Sequence, residues 1–316
     1  MILSASRRTD IPNYYSEWFY HRMREGFLYV RNPMNAHQIS RIDISPEVVD
    51  CIVFWTKNPE PMMGRLAEIQ AYPYYFQFTL TGYGTDVECN VPHKKKVMIP
   101  IFRKLSEKIG RERVIWRYDP IIFTDKYTPE YHVHAFREIS HLLKGYTEKC
   151  VISFVDIYAK IMRSMESLGM KKINRECMIK FAETLSGIAM QNGMEIASCA
   201  EKKDLRQWGI KHNSCIDQGL IERIIGCKIH ASKDKGQRAE CGCIESVEIG
   251  TYHTCKNGCV YCYANQGRDD AKIMYHPDSP LLCGEVMEGD RVTVRRVRSM
   301  REEQLSLFDM PKDGCE

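Results

Sequence analysis

Seven short apolar runs, each followed by a longer amphipathic or polar stretch, constrain the fold of this chain more than any other feature. They are MILSA (1–5), CIVFWT (51–56), YYFQFTL (74–80), RVIWRY (113–118), CVISFV (150–155), MEIASC (194–199) and IESVEIG (244–250). Short and rich in β-branched and aromatic residues, they read as buried parallel strands. Helical patterns lie between them. PNYYSEWFYHRMREG has Asp10 and Pro12 near its start and Gly26 at its end, a start and a stop signal. PEYHVHAFREISHLLKG sets Val133, Phe136, Ile139, Leu142 and Leu143 on one face, and INRECMIKFAETLSGIAMQNG repeats the design. Repeated β-then-α units predict an α/β fold with a parallel sheet and covering helices. Six or seven such units predict a partial (β/α) barrel, with a doubly wound sheet as the runner-up. FLYVRNPMNAHQISRIDI (27–44) breaks the pattern and reads as an inserted β-hairpin.

Composition bounds the rest. A chain of 316 residues, 44% hydrophobic and 27% charged, is globular and not disordered or fibrous. It has no apolar run of transmembrane length, and its start lacks the pattern of a signal peptide, so the expected location is the cytoplasm with no membrane partner. Disulfides are disfavoured there, and clustered thiols lean toward metal or redox chemistry. Of fourteen cysteines, Cys51, Cys89, Cys150 and Cys177 are scattered and read as buried small hydrophobes, while ten follow residue 190. The basic stretches HKKK (93–96) and RVTVRRVRSMR (291–301) read as solvated surface.

Polar residues gather where the strands end. Arg7, Arg8, Asp10, Thr56, Lys57, Asn58, Arg117, Asp119 and Asp156 all stand at or just past the C-terminal end of a predicted strand. In parallel α/β folds that edge carries the active site. Any one of them alone fits a turn or cap; their recurrence at the same edge points to a shared pocket.

The sharpest motif is TCKNGCVYCYAN, which places Cys255, Cys259 and Cys262 in a C-x₃-C-x₂-C loop with Gly258 inside it. Three thiolates there suffice to ligate three irons of a four-iron cluster, leaving one iron open. Structural zinc takes four protein ligands, so zinc held by these cysteines with His253 or another cysteine is the alternative. Upstream, Cys199, Cys215, Cys241 and Cys243 are candidates for a second centre, iron–sulfur or zinc; unrelated free thiols are the plain alternative. Cys199 alone is also a candidate hydrogen donor to a substrate radical.

With Tyr261 just before its last cysteine, the loop resembles the signature of radical S-adenosylmethionine enzymes. The string IGTYHTCKNGCVYCYAN resembles the branch that includes spore photoproduct lyase. The resemblance implies a [4Fe–4S] cluster on Cys255, Cys259 and Cys262, with S-adenosylmethionine on the open iron. One electron then cleaves that cofactor to methionine and a 5′-deoxyadenosyl radical, so an electron donor such as flavodoxin or ferredoxin is implied. VFWTKNPEPMMGRLAEI and WRYDPIIF resemble segments that follow the loop in those relatives. Here they precede it, which implies a circularly permuted barrel whose first strand comes last and lies beside MILSA. The carry-over makes Lys57 a ligand of the S-adenosylmethionine carboxylate and sets Tyr261 against adenine or cluster. Arg117 and Asp119 would stand near the methionyl or ribose groups. Thr9 or Asp10 would replace the GGE segment, which is missing after MILSA. SASRRTDIP, VRNP, FWTKNP, RYDPI, SFVD and CGCIESVEIGTYHTCKNGCVYCYAN carry a further resemblance, to the family known as domain of unknown function 1848.

Residues 1–266 are expected to form one barrel-like unit, with a cysteine-rich segment at 199–266, and 267–316 an extension. In that extension QLSLFDM, through Gln304, Leu305, Leu307 and Phe308, resembles the peptide that bacterial proteins dock into the replication sliding clamp. The expected function is a radical S-adenosylmethionine enzyme acting on nucleic acid or nucleotides in repair or modification. The alternatives are radical chemistry on a peptide or small metabolite, and a non-catalytic iron–sulfur or zinc module that binds DNA and the clamp.

Overall fold

The structure is a computed structural model that describes residues 1–155, 160–201, 204–265 and 274–302. Its strands, in chain order, are β1 (Ile2–Ala5), β2 (Phe27–Asn32), β3 (Asn35–Asp43), β4 (Cys51–Thr56), β5 (Tyr74–Thr79), β6 (Val114–Ile121), β7 (Lys149–Phe154), β8 (Glu195–Cys199), β9 (Lys211–Asn213), β10 (Val247–Glu248) and β11 (Arg291–Arg295). Eight of them form one sheet in the order β10-β1-β4-β5-β6-β7-β8-β9. Every pairing in it is parallel. The order never reverses, so the doubly wound alternative is excluded. The fold is a one-way α/β sheet of the partial-barrel kind, with eight strands where six or seven were expected. The extra strand, β9, is three polar residues long and has no apolar signature.

The last strand of the large sheet sits first in space. Leu3 pairs with Val247 and Ser4 with Glu248, which puts the segment leading into the cysteine loop beside the first strand. This is the arrangement expected of a permuted barrel. The ends of the described chain also meet: the Met1 ammonium binds Asp50 at 2.6 Å and donates to the Arg298 carbonyl at 2.7 Å.

Strand alternation sends successive side chains to opposite faces. Leu3, Ile52, Phe54, Phe76, Trp116 and Ile152 belong to the larger core, toward which α2 (Ser16–Glu25), α4 (Ile99–Ile109), α5 (Pro129–Leu142) and α7 (Arg175–Gln191) turn buried residues. Ile2, Val53, Tyr75, Ile115 and Val151 face the other way. That inner face is covered by Cys215, Ile216, Cys241, Cys243 and α8 (Gln218–Ile225), through Leu220 and Ile221. The expected first helix is split into α1 (Ile11–Tyr14), capped by Asp10, and α2, which ends at Gly26 in the left-handed region. α3 (Glu60–Met63) and α6 (Met162–Ser167) are short.

The predicted hairpin is present as β2 and β3, antiparallel. β11 joins β3 in parallel, so the basic stretch read as bare surface is a strand of a second, three-stranded sheet, with its residues exposed. Cys51 and Cys150 are buried as expected, whereas Cys89 and Cys177 are exposed. Among the described residues no helix is long and apolar enough to cross a membrane. Asp156 and the Gln304–Phe308 segment lie outside the described residues.

Candidate functional site

Along each strand the inner face turns from apolar to polar near the C-terminal end: Trp55 follows Val53, Gln77 follows Tyr75, Arg117 follows Ile115, and Ser153 follows Val151. Those polar ends, the loop after β1, the cysteine loop and the β2–β3 hairpin enclose a cavity of about 930 Å³. Arg7, Arg8, Thr9, Asp10, Thr56, Lys57, Arg117 and Asp119 all line it, as do Cys255, Cys262 and Tyr261. The pocket inferred from strand ends is therefore one place.

Two buried carboxylates fasten the cysteine loop to this edge. Asp10 accepts Thr56 Oγ1 at 2.7 Å, the Lys57 amide at 2.8 Å, Asn257 Nδ2 at 2.9 Å and the Asn13 amide at 3.2 Å. Burial pushes its carboxyl up, and those four donors pull against that. Both oxygens are engaged, so Asp10 positions Asn257 inside the loop and has no free oxygen to take a cofactor amine. Tyr14 donates to Asn257 Oδ1 at 3.0 Å from the same side.

Glu88 holds the other end. Its carboxylate takes Lys57 Nζ at 2.6 Å, Thr81 Oγ1 at 2.9 Å, the Lys94 ammonium and the Tyr261 hydroxyl. Burial raises its pKa, but Lys57 and Lys94 outweigh burial and hold it down to about 2. Conversely, burial lowers Lys57, and Glu88 more than offsets this, so the ammonium stays charged. Lys57 also lies 5.5 Å from the centre of the Tyr261 ring. Backbone pairing adds to the grip: Glu88 forms a bridge with Cys259, and Val260 donates to Val87 at 3.0 Å.

Local geometry explains the glycines. Gly258 has φ +64°, and a Cβ there would meet Cys89 Sγ at 2.3 Å; a Cβ on Gly250 would lie 1.8 Å from Ser6 Oγ. His253, in the left-handed region at φ 64°, donates its amide to Ala264 at 2.9 Å and closes the loop. The three cysteines are half-buried. Burial pushes Cys255 and Cys259 up to about 12 and raises Cys262 as well. The free loop therefore holds protonated thiols, and metal binding there releases protons.

The second group of cysteines lies on the inner wall of the same cavity, where Cys199, Cys215, Cys241 and Cys243 all contribute to the lining. Cys199 Sγ and Cys215 Sγ are 3.3 Å apart. Cys215 accepts Arg117 Nη1 at 2.8 Å and Asn213 Nδ2 at 3.1 Å, and Cys243 accepts the Ile216 amide at 3.3 Å. Arg117 is further engaged by Gln77 at 3.3 Å and by Asp119. Among the described residues no group of three or more His, Cys, Asp and Glu is placed to hold a single metal ion.

Sequence reading missed Glu88, Lys94, Asn257 and Trp55. Glu88 stands in an unremarkable polar loop with no motif around it. Lys94 belongs to the basic run read as solvated, yet its ammonium turns inward onto Glu88 while neighbouring Lys95 pairs with exposed Glu138.

A comparison with curated proteins finds no match. Residues 2–264 match the family described as a domain of unknown function (DUF1848). That span takes in every strand of the large sheet, both cysteine groups, Asp10 and Glu88. The chain belongs to the DUF1848 family.

Proposed function

We propose that this protein is a radical S-adenosylmethionine enzyme whose cluster is carried by Cys255, Cys259 and Cys262. One observation carries the reading: a loop of three half-buried thiols is fixed at the C-terminal edge of a one-way parallel sheet and opens on a large polar cavity. Three thiolates that each take a different iron of one cluster stand apart by the width of that cluster, so they need not converge on a point. The cavity also suits a polar cofactor. Arg7 Nη2, Thr9 Oγ1, Trp55 Nε1 and Ser246 Oγ are buried without a hydrogen-bond partner, and all four residues line it. Such atoms cost about 1–3 kcal/mol each if nothing pairs with them.

When bound, cluster and S-adenosylmethionine supply one-electron cleavage of a sulfonium, and with it a carbon-centred radical. This chain's own residues hold and orient. Asn257, clamped by Asp10 and Tyr14, sets the loop. Lys57 keeps a charged ammonium with donors to spare for a carboxylate, and Thr9 offers a free hydroxyl where Asp10 offers none. Tyr261, anchored to Glu88, presents its ring beside Lys57. Nucleic acid or nucleotide is the proposed substrate class. It is supported by the cavity's charge, since seven basic and four acidic side chains line it.

The test is anaerobic reconstitution with iron and sulfide, then reduction with S-adenosylmethionine and assay for 5′-deoxyadenosine. Cleavage that disappears when Cys255, Cys259 and Cys262 are all replaced by Ala supports the reading. Bound zinc, or iron without cleavage, refutes it.

A further inference from the structure

The four inner-wall cysteines are not equivalent. Cys215 is buried and receives both side-chain N–H donors, Arg117 at 2.8 Å and Asn213 at 3.1 Å. Cys199 is half-buried at the cavity wall, and among its printed contacts is only the Cys215 sulfur, at 3.3 Å. A sulfur facing a guanidinium and an amide N–H is stabilised as thiolate. A sulfur at 3.3 Å from a thiolate is its proton donor. Four equal ligands of one metal would share such donors evenly, whereas this arrangement is one thiolate and one thiol in contact.

We propose that Cys199 and Cys215 form a redox-active dithiol facing the cavity, able to exchange with low-molecular-weight disulfides. Cys199 is the entry sulfur because it alone of the two is open to the cavity. Cys215 thiolate takes the Cys199 proton, and Cys199 attacks a sulfur of the disulfide RSSR. A mixed disulfide forms and one RS⁻ leaves. The Cys215 proton then passes to that RS⁻, and Cys215 attacks the Cys199 sulfur, breaking the mixed disulfide and expelling the second RS⁻. The protein pair is oxidised by two electrons and RSSR is reduced to RSH and RS⁻, so atoms and charge balance. Reversed by a dithiol, the same steps restore the thiols. Arg117 is a positioning residue here, since it acts through Cys215. The pair deepens the proposed function by giving the cavity a two-electron reductant. Its test does not involve S-adenosylmethionine cleavage, so the two readings fail separately.

Full-length protein is incubated anaerobically with glutathione disulfide, alkylated and mapped by peptide mass spectrometry. Wild type is expected to yield a Cys199–Cys215 disulfide that dithiothreitol reverses. Cys215→Ser is expected to trap glutathione on Cys199, and Cys199→Ser to trap none at either position. Cys241→Ser, with matching circular dichroism, is expected to keep the wild-type disulfide. Iron or zinc bound to wild type at one equivalent and lost in both Cys199→Ser and Cys215→Ser would overturn the proposal. So would glutathionylation of Cys215→Ser spread evenly over the cysteines.

Discussion

Replacing Glu88 by Gln tests how the cysteine loop is held. The carboxylate is buried beneath the loop and binds the ammonium groups of Lys57 and Lys94. Those two charges hold its pKa down from 4.5 to about 2 against the upward push of burial. At ~1.36 kcal/mol per pKa unit, the ionised form contributes on the order of 3 kcal/mol at neutral pH. This agrees with the roughly 3–5 kcal/mol lost when one partner of a buried ion pair is removed. Glu88→Gln keeps the shape and an acceptor but leaves two buried ammonium groups uncompensated. It should lower unfolding free energy by about 3 kcal/mol at pH 7, measured by urea titration with tryptophan fluorescence under anaerobic reducing conditions. The sign of the pH dependence follows from the depressed pKa. The contribution is fully present above 4.5 and fades as pH falls toward about 2. The gap between wild type and variant should therefore narrow by roughly 1 kcal/mol between about pH 5.5 and 3.5. A gap under about 1 kcal/mol at pH 7, or one that widens with acid, would refute this account of the ion cluster.

Other substitutions separate the roles. Lys57→Ala should weaken S-adenosylmethionine binding about tenfold or more while leaving reconstituted iron content unchanged; calorimetric titration reads the first and colorimetric iron assay the second, and normal affinity would remove Lys57 from the cofactor site. Gly258→Ala forces an alanine to φ +64° with its Cβ 2.3 Å from Cys89 Sγ. It should cost about 1–2 kcal/mol in the same urea assay and reduce cluster uptake; unchanged stability would mean the loop backbone is not as described. Deleting residues 302–316 should abolish binding to a bacterial sliding clamp, read by surface plasmon resonance, without altering S-adenosylmethionine cleavage. Equal clamp affinity would dismiss the tail motif.

Much of this fold is legible in the sequence because parallel strands buried on both faces must be apolar along their length. MILSA, CIVFWT and YYFQFTL carry that signal plainly, and so does the polar residue that closes each strand. The cysteine loop is legible because its chemistry requires fixed spacing. Its displacement beside β1 could be inferred since strand order in a barrel is cyclic. What escaped had no local signal. β9 is a three-residue polar strand fixed by pairing with β8, and β11 hides in a run of arginines. Glu88 and Lys94 meet Lys57 and Tyr261 only through tertiary structure. Asp10 was read as a cofactor contact, but four donors from three separate segments converge on it. Cys199, Cys215, Cys241 and Cys243 were grouped correctly by position, yet the asymmetry between Cys199 and Cys215 depends on Arg117 and Asn213, which sequence does not place beside them.

The central claim is that the Cys255–Cys259–Cys262 loop carries a cluster that meets S-adenosylmethionine directly. Electron paramagnetic resonance of the anaerobically reconstituted, reduced protein, recorded with and without S-adenosylmethionine, tests it most directly. The account requires a reduced [4Fe–4S] signal whose g values shift on adding the cofactor, absent from the triple Cys→Ala variant. A signal that the cofactor leaves unchanged, or one that survives in that variant, would contradict it.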